Sequence, residues 1–168
     1  MVHHVALLAL LAAGSHTHAS QARSALRAEL QPLAFLVGSC WTGAFPDGKS
    51  RDTHCYEAVY AGQFVRDRHV VRGGTRPYEG ETIYAWDPKQ KRIVFTYWNS
   101  DGGISTGVVE PGDGEIVFPE AHADGSGQMT LKTVWTLRDA DTYDSWVAQF
   151  RDGQWREMWR MTMRREKG

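Results

Sequence analysis

Asp52-Thr53-His54-Cys55-Tyr56-Glu57-Ala58-Val59-Tyr60-Ala61-Gly62-Gln63-Phe64-Val65-Arg66-Asp67-Arg68-His69-Val70 reads as two β-strands folded back on each other. Ala61-Gly62 is the turn signal, because glycine supplies the left-handed backbone that a tight hairpin requires. Setting Tyr60 opposite Gln63 fixes the register. His54 then faces His69, Tyr56 faces Asp67 and Ala58 faces Val65, all on one side of the sheet. The other side pairs Glu57 with Arg66 and Cys55 with Arg68. One side carries an opposite-charge pair suited to water. The other gathers two imidazoles, a carboxylate and a phenol suited to a pocket, and a slip of one residue would exchange the two sides.

The preceding stretch extends the pattern. Pro46-Asp47-Gly48-Lys49 is a turn between strands expected at 39–45 and 51–59. A loop of those four residues sets Phe45 against Ser50, Trp41 against His54 and Cys40 against Cys55. Directly opposed cysteines are within bridging reach. They form a disulfide in an exported protein and stay as two structural thiols in a reducing compartment. Cys-x-x-Cys spacing is absent, so neither thiol is expected to be a redox catalyst.

Further strands are expected at 63–72, 81–86, 92–99, 104–110, 115–118, 129–137, 143–151 and 155–164, separated by turns such as Asp87-Pro88-Lys89-Gln90 and Asp152-Gly153. One or two helical turns over 24–31, stopped by Pro32, precede them, followed by the apolar segment Leu33-Ala34-Phe35-Leu36-Val37-Gly38. About ten consecutive antiparallel strands leave two exposed edges unless the sheet closes. The expectation is therefore an all-β up-and-down barrel with a short N-terminal helix. Asp124-Gly125-Ser126-Gly127 reads as an ordinary loop, with His122 a solvated residue beside it.

The chain has 168 residues, 42% hydrophobic and 23% charged, with a formal net charge of −1, which suits one globular domain. No basic stripe is present, so nucleic acid is not an expected partner, and no segment has the length of a membrane span. Residues 1–22 lack Asp, Glu, Lys and Arg, and 5–13 is an apolar run of signal-peptide length. The expected organisation is a leader over 1–22 and a single barrel over 23–168, located in the periplasm or secreted.

Phe35-Leu36-Val37-Gly38-Ser39-Cys40-Trp41-Thr42-Gly43 resembles the opening of calycin-like barrels. Asp52-Thr53-His54-Cys55, Arg66-Asp67-Arg68-His69-Val70-Val71-Arg72-Gly73, Gly80-Glu81-Thr82-Ile83-Tyr84 and Tyr97-Trp98-Asn99-Ser100-Asp101-Gly102-Gly103 are similar to bacterial lipocalin-like proteins grouped as domain of unknown function 1579. The resemblance spans about 33–164 and implies a ten-stranded barrel with an internal cavity and Trp41 facing inward. Nitrobindins, a related barrel type, bind haem through a histidine near the C-terminal end. Residues 155–164 contain none, so haem is not expected and no cofactor is assigned.

With Trp41 inward, His54, His69, Tyr56 and Asp67 line the cavity, with Asp52 on the same side. Alternation along the last strand adds Trp155, Glu157, Trp159, Met161 and Met163 to the wall. The leading functional expectation is a small, partly apolar ligand held by Trp41, His54, Tyr56, His69, Trp135, Glu157 and Trp159. An enzyme (isomerase, cyclase or hydrolase) using His54 or His69, with Asp67, as general acid and base is the alternative. A filled barrel with a structural or partner-binding role is the third. Two histidines and a carboxylate are also metal-ligand types, although no metal is assigned.

Overall fold

The computed structural model describes residues 26–124 and 129–167; the expected leader at 1–22 and the loop at 125–128 lie outside them. Ten strands follow in chain order: β1 (Ser39–Ala44), β2 (Arg51–Val59), β3 (Phe64–Arg72), β4 (Tyr78–Asp87), β5 (Arg92–Asn99), β6 (Ile104–Pro111), β7 (Glu115–Asp124), β8 (Met129–Asp139), β9 (Thr142–Arg151) and β10 (Gln154–Arg165). Each strand pairs antiparallel with the next, and β10 returns to β1, so the sheet is a closed up-and-down barrel.

The two N-terminal hairpins have the expected registers. Cys40 opposes Cys55 and Trp41 opposes His54 in the first; His54 opposes His69, Tyr56 opposes Asp67 and Glu57 opposes Arg66 in the second. Ala61 and Gly62 take positive φ (55° and 79°) at the turn, and the Gln63 N–H donates to the Tyr60 carbonyl at 3.3 Å. Cys40 and Cys55 are bridged, with Cα atoms 4.0 Å apart. Outside the barrel the Arg66 guanidinium meets Glu57 at 2.6 Å.

Four expectations about the elements are corrected. The helix is a 3-10 turn, Ala28–Leu33, with Pro32 inside it. A short run of i to i−3 bonds loses only one donor to proline, and such bonds continue to Val37 beyond it. β4 begins at Tyr78, because Gly80 still pairs with both His69 and Asn99. β7 runs to Asp124 and includes the backbone of His122; Pro119 and Glu120 fall within register shifts on both flanks, where the missing proline N–H breaks no ladder bond. In β10 the register shifts between Glu157 and Trp159, so one extra residue inverts the alternation. Trp159, Met161 and Met163 face inward, whereas Trp155 and Glu157 lie on the exposed side.

Leu30, Leu33, Leu36 and Val37 have no solvent exposure and close one end of the barrel. Trp41 completes this plug. Its indole N–H donates to the Leu36 carbonyl at 3.3 Å, and Phe35 and Tyr143 pack on the ring. The Arg165 guanidinium lies 4.3 Å over its centre. Arg165 also donates to Ser39 Oγ, the Phe35 and Ala140 carbonyls, and Asp141. The contact clasps the last strand to the first.

Candidate functional site

Above the plug the strands enclose a cavity of about 520 Å³. Phe45, Phe95, Phe118, Trp135 and Trp159 supply much of its apolar wall, and among the described residues no Lys or Arg lines it. The polar side comes from β2 and β3, where residues two apart share a face. Asp52 and His54 project from β2, and Asp67 and His69 from β3.

These side chains form one continuous chain of hydrogen bonds. Asp67 Oδ2 lies 2.8 Å from His54 Nδ1, and His54 Nε2 lies 3.1 Å from Asp52 Oδ2. Asp52 Oδ1 is 3.0 Å from His69 Nδ1. His69 Nε2 is 2.9 Å from the Tyr97 hydroxyl, which is 2.8 Å from that of Tyr78. The imidazoles stack at 4.7 Å with 17° between their planes.

Proton counting follows from this geometry. Carboxylates only accept, so His54, held between two of them, carries a proton on each nitrogen and is an imidazolium. Burial opposes that charge, but the Asp67 charge and the bonds to Asp52 and Asp67 raise the His54 pKa to about 10. Burial would likewise raise Asp52, yet donation from His54 and His69 holds its carboxyl well below the usual range. His69 Nδ1 donates to Asp52, and the Tyr97 hydroxyl, which gives its proton to Tyr78, turns its oxygen toward His69 Nε2. Burial first, then the Tyr78 bond, pushes the Tyr97 phenol far up and keeps it a proton donor.

Two buried polar atoms have no hydrogen-bond partner among the described residues, Asp67 Oδ1 and the Tyr56 hydroxyl. Both sit at one cross-strand position. Burial above all, with the Asp67 charge beside it, raises the Tyr56 phenol. Tyr56 and Tyr143 influence one another's ionisation without forming a hydrogen bond by geometry.

Of the expected site residues, His54, His69, Asp67, Trp135 and Trp159 line the cavity. Tyr56 and Trp41 are buried behind its wall, Tyr56 stacked on His54 and Trp41 in the plug. Glu157 does not reach the cavity. Its side chain is 50% exposed and accepts from the Trp146 indole on the outer face, a consequence of the β10 bulge.

Sequence reasoning missed Tyr97, Tyr78 and the glycine that lets them in. A Cβ at Gly80 would come 2.5 Å from His69 Nε2 and 2.6 Å from the Tyr97 hydroxyl. Glycine inside a strand, opposite a histidine, was the available signal of such a close approach.

Asp52, His54 and His69 are the residues that could hold a metal, their ligand atoms lying within 4.8 Å of one another. A metal sits near the plane of each imidazole that ligates it, and two near-parallel stacked rings share no such point. Ligation would require turning one ring away from Asp67 or Tyr97. No protein-family model matches the chain, and no match was found among curated proteins.

Proposed function

We propose that this protein is exported and binds a small, partly apolar molecule inside the barrel. The observation that carries the reading is the roughly 520 Å³ cavity, with one hydrogen-bonded polar wall facing aromatic rings. Volumes of about 300–1,000 Å³ with a few convergent polar groups are those of small-molecule sites. The sequence resemblance to the lipocalin-like proteins of domain of unknown function 1579 points to the same use of the interior, and the closed ten-stranded barrel is consistent with a calycin-type fold. The Cys40–Cys55 bridge suits an oxidising compartment.

Native mass spectrometry of gently purified protein tests the binding reading, with intrinsic tryptophan fluorescence as the second readout because Trp135 and Trp159 line the cavity. A bound mass released on mild denaturation, and weaker rebinding by His69→Ala with the fold retained, is the expected result. No released mass and no response to a broad panel of small apolar compounds would refute it. N-terminal sequencing of periplasmic material tests export.

A second reading rests on the order Asp52, His69, Tyr97, in which a carboxylate orients an imidazole against a hydroxyl. That order has the logic of a proton-transfer triad with a phenol at its head. In this reading Tyr97, helped by Tyr78, gives a proton to a carbonyl oxygen of the bound molecule. A turnover that survives Tyr97→Phe with an unchanged pH–rate profile would exclude it.

A further inference from the structure

We infer that the outer wall of the barrel carries a second site, for a phosphate-type oxyanion, in a groove shared by β1, β2, β3 and β10. It goes beyond the interior-binding reading and does not depend on it.

The groove encloses about 480 Å³ and is lined by Lys49, Arg51, Arg72, Arg164 and Arg165, with Glu166 the one acid on it among the described residues. Strand alternation places it outside the barrel. Asp52 and His54 face the cavity, so Arg51 and Thr53 face outward. Arg72 opposes Arg51 across β2 and β3. Arg164 opposes Thr42, which in turn opposes Thr53.

The charges here do not balance. Arg165 is committed to the clasp at the barrel seam, where it meets Asp141 at 2.7 Å. Among the described residues, the side chains of Lys49, Arg51, Arg72 and Arg164 have no hydrogen bond or ion pair. The acids nearby are engaged elsewhere. Glu166 accepts from the Thr42 hydroxyl at 2.5 Å. Asp47, in the loop that carries Lys49, accepts from the Lys49 and Ser50 N–H groups and the Ser50 hydroxyl. Glu79 and Glu81 border a neighbouring groove and form no ion pair with Arg72.

The backbone enforces this crowding. Arg51 and Arg72 are direct cross-strand neighbours, and like charges so placed repel. Gly73, at φ 109°, packs so closely on the preceding loop that a Cβ there would come 2.5 Å from the Lys49 carbonyl oxygen. A side chain at this position would push the lysine's loop off the end of β3. Four cations gathered without a carboxylate of their own are explained by an anion that supplies the missing charge. A monocarboxylate brings one charge and two oxygens. A phosphate ester brings up to two charges and three oxygens, enough for more than one guanidinium fork. The contributing residues come from both ends of the chain, so no basic stripe marks the groove in the sequence.

Thermal unfolding and isothermal titration calorimetry near neutral pH test the site, with pyrophosphate, phenyl phosphate, acetate and chloride compared at equal ionic strength. The two phosphates are expected to raise Tm by a few degrees and to bind about tenfold or more tighter than acetate. The double variant Arg51→Gln/Arg72→Gln should lose about tenfold or more in phosphate affinity. Neither substitution touches the cavity wall. Should that variant fail to fold, Lys49→Gln/Arg164→Gln replaces it with the same expected loss. Co-sedimentation with phosphatidylcholine vesicles, with and without phosphatidate, distinguishes the source. Binding of the soluble phosphates assigns a free ligand. Binding of phosphatidate vesicles alone, lost in the variant, assigns a lipid headgroup. Equal effects of acetate, chloride and the phosphates would mean charge screening only and overturn the inference. Phosphate affinity unchanged in the variant, or binding of neither the soluble phosphates nor the vesicles, overturns it too.

Discussion

Raising the pH from 6.5 to 9 should destabilise this protein, and His54 should account for most of the loss. Its folded-state pKa of about 10 lies above the ordinary 6.5. The native chain therefore holds that proton more tightly than the unfolded chain does. The stabilisation is complete below pH 6.5 and drains away as the pH climbs toward 10. Each tenfold change in proton affinity is about 1.4 kcal/mol, which sets a ceiling near 5 kcal/mol. The ring is 19% exposed and its partners relax when it is neutral, so about 2 kcal/mol between pH 6.5 and 9 is the working figure. For a domain of this size that lowers Tm by about 4–8 °C. The groups facing His54 do not counterfeit the signal. Asp67 and Asp52 flank it, and Asp52 is lost only as the pH falls below 3.8 toward its depressed folded value. Tyr56, stacked on the ring, is raised by burial. There are no free cysteines among the described residues to exchange with the disulfide at high pH. Urea unfolding followed by tryptophan fluorescence at pH 6.5, 7.5, 8.3 and 9 supplies the measurement. Asp67→Asn should flatten the slope, because it removes the charge that does most to raise His54. A wild-type midpoint that does not move with pH, or an equal slope in the variant, would refute the reasoning.

Gly80→Ala should lower stability by about 2–3 kcal/mol, since the new methyl displaces His69 from Tyr97; a melting curve like wild type would mean the two rings are not joined. Arg165→Met loses the contact over Trp41 and its carbonyl and carboxylate partners, for about 3 kcal/mol and a Tm lower by about 6–12 °C. Reducing the Cys40–Cys55 bridge, which spans 15 residues, should cost about 3 kcal/mol in urea unfolding without opening the barrel in native buffer.

The hairpin registers were readable in the sequence because a two-residue turn at Ala61-Gly62 and a four-residue loop at Pro46–Lys49 leave the flanking residues one way to pair. The same reasoning failed in β10. The series Trp155, Glu157, Trp159, Met161, Met163 keeps its two-residue period straight through the bulge, so nothing in the hydrophobic pattern marks the extra residue. Pro119 hid the second half of β7 for the opposite reason. It has the look of a strand end, yet register shifts beside it absorb its missing donor. Within the site, the β2–β3 half was legible because direct cross-strand neighbours follow from one turn. Tyr97 and Tyr78 reach His69 through packing across three strands, and only the mid-strand Gly80 betrayed that meeting.

The clasp between Arg165 and the N-terminal end of the barrel has a bearing on how the chain matures. Every other strand meets a partner adjacent in sequence, so the meander can zip from hairpin to hairpin with little loop entropy to overcome. Closure alone joins distant ends: Arg165 reaches Ser39 across 126 residues, and the β1–β10 seam consists of two paired positions, Trp41 with Arg165 and Thr42 with Arg164. A nascent chain emerging from its N-terminal side cannot finish this barrel until its final strand is released. Until then it is an open sheet with an unprotected edge on β1, the stage at which pairing with another chain competes with closure.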